Sequence, residues 1–180
     1  MKRAGFLALS LTLTLSTLVC SVGDVVLQEL DDRSITTQII GLLIQDLSIN
    51  HLDIKVITDE GEVYLIGRVD TFEQRLLAEQ HARSVSNVWS VINLLETNAE
   101  QPYDQGLREA DLAIQTRLFT EMTTSGQIPF VSLAVHAFEG QIFLIGRVRS
   151  AQTRRKLLDL VHGIDDVRQV HDYLKIGSRL

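Results

Sequence analysis

The sequence predicts an α+β protein made of two tandem α-β-β-α-β modules, each a three-stranded mixed sheet covered on one face by two helices. Three observations carry this expectation. The pentapeptide Leu65-Ile66-Gly67-Arg68-Val69 recurs as Leu144-Ile145-Gly146-Arg147-Val148, 79 positions later. A Glu-Gly pair stands before each copy, at Glu60-Gly61 and Glu139-Gly140, with glycine where a tight hairpin needs positive φ. Around both copies the apolar residues change from helical spacing to strand alternation and back.

At the amino terminus, Met1-Lys2-Arg3 precedes an apolar and hydroxyl run from Ala4 to Val19, the charged and hydrophobic regions of a secretory signal peptide over residues 1–20. A spanning helix needs about 20 predominantly apolar residues. This run is shorter and threonine-rich, so export is expected and a retained anchor is the alternative. Cys20 is the single cysteine of the chain, which excludes an intramolecular disulfide. Thr17-Leu18-Val19-Cys20 resembles the lipobox of bacterial lipoproteins, which implies acylation of Cys20, and Ser21 then resembles an outer-membrane sorting signal. Cleavage after Gly23 by the ordinary signal peptidase is the other reading, and it discards Cys20.

In the first module Ile35, Ile39, Leu42, Leu43 and Leu47 form one helical stripe, with Asp31 or Asp32 as its cap. The second copy opens alike, with Asp111, Ile114, Leu118 and Met122. Leu52 to Val56 and Val131 to Val135 alternate as half-buried strands. The second strands run Val63 to Val69 and Ile142 to Val148, where Gly67 and Gly146 imply a bend or the close approach of a helix. Thr71-Phe72-Glu73-Gln74 is a capping box for the next helix, and Ser150 is a simpler cap in the second copy. The buried sides of these helices are Leu76, Ala78, Ala82 and Val85, then Leu157, Leu158, Val161 and Ile164. Third strands follow at Val88 to Leu95 and Val167 to Ile176. The expected modules are residues 31–96 and 110–176, joined by a linker over 97–109 with Asn98, Pro102 and Gly106.

Composition narrows function. With 45% hydrophobic and 22% charged residues the chain is a folded one. Its formal charge is -6; once Lys2 and Arg3 leave with the leader, 15 basic side chains face 23 acidic ones. Nucleic acid is therefore not an expected partner, since phosphate contacts dominate that affinity. Residues 141–180 nevertheless hold eight basic groups against four acidic ones. His51, His81, His136, His162 and His171 show no ligand spacing, so no metal and no other cofactor is expected. Nor is there a phosphate-binding loop, a nucleophile elbow or a paired-carboxylate motif, and a non-catalytic protein is expected.

The order of these elements, with Val88-x-x-Val91-x-Asn93-x-Leu95 in the first copy and Gly163-Ile164 and Val167-x-x-Val170-x-Asp172-x-Leu174 in the second, resembles the BON domain, named for bacterial osmotic-shock and nodulation proteins. A leader followed by two such domains is similar to the dual-BON envelope proteins of Gram-negative bacteria, which include outer-membrane phospholipid-binding lipoproteins and osmotically induced periplasmic proteins. The resemblance implies a non-catalytic envelope lipoprotein at the inner leaflet of the outer membrane, facing the periplasm. It also implies binding of anionic phospholipid through the second domain and support of outer-membrane integrity under envelope stress. A soluble periplasmic osmotic-stress or protein-interaction module, with envelope proteins as partners, is the alternative.

The candidate lipid-binding residues are Arg147, Arg149, Arg154, Arg155 and Lys156, around the start of the second helix of the second module. Basic groups near an anionic membrane contribute about 1 kcal/mol each. Arg68 and Arg147 share one module position, which favours a structural ion pair or helix cap. Trp89 is expected in the core, with a partner surface as the alternative. Neither the mutual orientation of the modules nor the oligomeric state is written in a local pattern.

Overall fold

The computed structural model describes residues 16–98, 105–125 and 130–177. Most of the leader, and residues 99–104 of the linker, lie outside the described residues. The first module comprises α1 (Ser16–Gln45), a 3-10 turn (His51–Asp53), β1 (Ile54–Asp59), β2 (Glu62–Val69), α2 (Phe72–Ser84) and β3 (Ser90–Thr97). The second comprises α3 (Gln105–Ser125), β4 (Phe130–Phe138), β5 (Gln141–Val148), α4 (Ala151–His162) and β6 (Gln169–Ile176). In each sheet the repeated strand is central, antiparallel to its hairpin partner and parallel to the strand that returns after the helix. The α+β fold with two mixed sheets is thus as the sequence predicts.

Side-chain alternation along the repeated strand explains the architecture. Val63, Leu65 and Val69 of β2 face Ile35, Ile39 and Leu43 of α1 and Ala78 and Ala82 of α2. Ile142, Leu144 and Val148 of β5 meet Ile114 and Leu118 of α3 and Leu157 and Val161 of α4 in the same way. Residues of the opposite parity point away from the helices. These are Tyr64 and Ile66 in one sheet and Phe143 and Ile145 in the other, and they pack together as a third core. The molecule is therefore four layers, helices, sheet, sheet, helices, and every residue of β2 after Glu62 is buried.

The two hairpin turns carry positive φ at both central residues, Glu60 at 55° with Gly61 at 75° and Glu139 at 50° with Gly140 at 77°. That is the twist two-residue hairpins favour. A helix carboxylate locks each turn. Asp32 accepts from the N–H groups of Glu60 and Gly61 at 2.9 Å each, and Asp111 accepts from Glu139 and Gly140 at 2.6 and 2.8 Å. Asp31 and Asp32 are consequently not caps: α1 begins at Ser16 and runs through them. Thr71 does make the capping box with Gln74, and Ser150 accepts from the Thr153 N–H.

At Gly67 and Gly146 the close approach comes from backbone and not from a covering α-helix: the end of the 3-10 turn that leads into β1 at Gly67, and β4 itself at Gly146. A Cβ at Gly67, φ 132°, would stand 1.9 Å from the Asp53 carbonyl oxygen; at Gly146, φ 127°, it would stand 2.4 Å from that of Ser132. Several expected core positions lie outside: Leu47, Leu52, Leu76 and Trp89 are all exposed. Leu47 follows the end of α1, and Leu52 sits in the 3-10 turn before β1.

Candidate functional site

The five basic candidates separate into two groups. Arg147 lies on the sheet face that meets the other module, where its guanidinium donates to both carboxylate oxygens of Glu60 at 2.7–3.1 Å. Its counterpart Arg68 donates from Nε to Glu139 at 3.1 Å and makes a second bond to the same carboxylate from Nη2. The repeated arginine of each module thus holds the repeated hairpin glutamate of the other. Bidentate arginine–carboxylate pairs fix geometry as well as contribute energy.

Around this reciprocal pair the two copies differ. Arg68 also meets Glu96 at 3.0 Å and lies 5.8 Å over the Phe138 ring. Beside Arg147 stands Lys175, which reaches Asp59, Glu60 and Glu62 at 3.2, 3.4 and 2.8 Å. Burial works to raise the Glu60 carboxyl, but the hydrogen bonds and charge of Arg147, with Lys175, hold it below the usual carboxylate range. Lys175 is shifted upward: burial disfavours its charge, and the bond to Glu62 and the Asp59 carboxylate outweigh that. Arg147 is committed to holding the modules together.

The remaining candidates belong to the outer surface. Arg149 is exposed just beyond β5, and Arg155 and Lys156 are exposed on the first turns of α4. Arg154, half-buried, bonds Asp172 of β6 at 2.7 Å. Cys20 falls within α1 by backbone, with its side chain outside the described residues.

Three features lie outside the site residues expected from sequence, though a partner surface is the alternative expectation for Trp89. An apolar groove of about 480 Å³ runs between α3 and β4, lined by Leu118, Phe119, Met122, Leu133 and Val135, and Phe119 is 74% exposed. A cleft of about 540 Å³ between the modules takes in Lys55, Arg68, Asp111, Leu112, His136 and Glu139. Burial there pushes His136 down to about 4, assisted by the Lys55 charge and opposed by Asp111. The third is Trp89, 84% exposed, whose backbone N–H donates to the Gly61 carbonyl at 2.9 Å. Helical spacing marks Leu118 and Met122 as one stripe, but nothing in sequence tells which flank of that stripe stays open.

Because Arg147 holds Glu60, the end of β5 meets the first module at the Glu60–Gly61 turn. Trp89 stands against the same turn, and Arg149 follows Arg147 by two residues, just before α4. Among the described residues there is no group of three or more His, Cys, Asp or Glu arranged to hold a metal, and no helix long and apolar enough to cross a membrane.

The BON domain family matches this chain twice, at residues 31–99 and 110–178. A protein of Anaplasma centrale from the gshII 5′ region is 26% identical over 149 residues, covering 82% of this chain and 95% of its own length. Osmotically-inducible protein Y of Escherichia coli is 25% identical over 146 residues, covering 81% of this chain and 73% of its own. Outer membrane lipoprotein DolP of Haemophilus influenzae is 23% identical over 149 residues, covering 81% and 76%.

Proposed function

The chain belongs to the BON-domain family, and from that premise we propose that it is a non-catalytic, exported cell-envelope protein whose second module binds anionic phospholipid and so supports outer-membrane integrity. The observation that carries this reading is the division of the basic residues. Arg147 is turned onto Glu60 between the modules and Arg154 is half-buried against Asp172, while the side chains of Arg149, Arg155 and Lys156 are solvent-exposed around the start of α4 in an otherwise acidic protein. The groove at Phe119 and Met122 adds apolar contact on the same module.

A relative named as an outer membrane lipoprotein supports the lipid-anchored form. In that form Cys20 is acylated and the modules sit at the inner leaflet, facing the periplasm. The relative named as an osmotically inducible protein supports the alternative, a soluble periplasmic osmotic-stress or protein-interaction module without an anchor. Intact mass of the mature chain separates the two, because acylation of Cys20 adds a large increment. The sheet faces turned away from the helices cover each other, so an envelope protein would dock on another surface.

Sedimentation with phosphatidylethanolamine vesicles, with and without phosphatidylglycerol, tests the lipid reading. Binding is expected only with the anionic lipid. Replacing Arg149, Arg155 and Lys156 together by Gln is expected to cost about 3 kcal/mol, roughly 150-fold in affinity, at about 1 kcal/mol per basic group. Retention that ignores phosphatidylglycerol, or survives the triple substitution, overturns it.

A further inference from the structure

We propose that Trp89, with Leu27 and Leu30 of α1, forms a second membrane contact, on the first module, that seats this end of the molecule in the interfacial layer of an anionic phospholipid bilayer. The inference rests on the lipid reading above and adds to it the residues that set the orientation of the protein on the membrane.

The tryptophan is held outward by its surroundings. Its N–H is tied to the Gly61 carbonyl, and its indole lies directly against Gly61, where a Cβ would come within 2.2 Å of the ring. The loop before it is fixed to α1, because Asn87 donates to the Asp31 carboxylate at 3.3 Å. Leu27 stands one helical turn before Asp31 on the same side of α1 and is exposed, as is Leu30 beside it. Three large apolar side chains are therefore exposed around one fixed corner.

Fold does not require an aromatic there. The corresponding residue of the second module is Arg168, whose N–H donates to the Gly140 carbonyl at 2.8 Å in the same arrangement, and it is exposed as well. Trp89 thus occupies a position that the architecture leaves to choice.

Charge and chain direction name the occupant. The Glu60–Gly61 turn that braces Trp89 is the one Arg147 holds, and the exposed Arg149 follows Arg147 by two residues in the chain. Tryptophan, whose ring has an apolar body and a polar N–H, concentrates at the headgroup level of bilayers, and a neighbouring basic group is attracted to anionic headgroups. The amino-terminal part of α1, which carries Cys20, also emerges here. A membrane tether at that cysteine places this corner next to the bilayer.

The chain contains one tryptophan, so its fluorescence reports this corner alone. With vesicles of phosphatidylethanolamine and phosphatidylglycerol carrying brominated acyl chains, the emission of the protein is expected to shift to the blue and to be quenched by the bromine. Trp89→Ala is expected to lower vesicle affinity roughly tenfold with unfolding unchanged, and Trp89→Phe to retain part of the binding. Co-sedimentation with an unshifted, unquenched Trp89 overturns this inference and leaves the lipid reading standing. Absence of co-sedimentation overturns both.

Discussion

At the scale of single residues, the arginine of the repeated pentapeptide does the same task twice under unequal burial. Arg68 and Glu139 are each 5% exposed, whereas Arg147 and Glu60 are 17% and 22% exposed. Removing one member of a buried pair leaves an uncompensated charge and costs about 3–5 kcal/mol. Arg68→Gln strands Glu139 and belongs in that range. Arg147→Gln leaves Lys175 at 3.4 Å from Glu60, so its cost is expected to be smaller, about 1–2 kcal/mol. Urea unfolding of the two variants measures both, and equal losses would remove the distinction between the sites. The sequence shows that both arginines and both glutamates repeat at one offset, which favours an ion pair. It does not show that each arginine reaches across to the other module, because no local spacing encodes docking. Placing Arg147 among surface cations followed from that gap.

At the scale of elements, period and capping chemistry were the most legible features. Helical stripes, the Thr71 capping box, the Ser150 cap, the hairpins and the central strands all follow from side-chain period and turn chemistry. Misreadings concentrate at element ends. Leu47 and Leu52 lie in the connection between α1 and β1, where neither helical nor strand period holds and Ile49 takes the core place instead, and Trp89 precedes the first residue of β3. The glycine of the repeated strand is an element-scale requirement. Its backbone stands in a region that L side chains rarely adopt, and neighbouring backbone, the Asp53 carbonyl at Gly67 and the Ser132 carbonyl at Gly146, occupies the space of a Cβ. Gly67→Ala is expected to destabilise the protein by about 2–3 kcal/mol. Gly163 ends α4 with φ -82°, and a Cβ there would meet nothing closer than 3.4 Å, so Gly163→Ala should change stability within about 0.5 kcal/mol. Thermal melts of the two variants decide whether strain or mere substitution is responsible.

At the scale of the whole molecule, the duplicated module has become its own partner. Residue i of one copy contacts residue j of the other while j contacts i, the rule of a two-fold interface, here closed within one chain. The divergent charges favour that pairing over pairing of like modules. Lys175 meets Asp59, Glu60 and Glu62 of the first module. Two first modules docked alike would set Glu96, which stands in the Lys175 position, against those three acids. Two second modules would set Arg147 and Lys175 against Glu139 alone. The apolar layer of Tyr64, Ile66, Phe143 and Ile145 then couples the halves energetically, since separating them exposes residues that are almost wholly buried. A single cooperative unfolding transition is therefore expected, with Trp89 fluorescence, which senses only the first module, coinciding with far-ultraviolet circular dichroism, which senses both. Ile145→Asp buries a carboxylate between the sheets and should uncouple them. The dichroism transition should then broaden or split, while the tryptophan transition follows the first module alone. Coincident transitions in that variant would mean that the modules are joined by something other than this apolar layer.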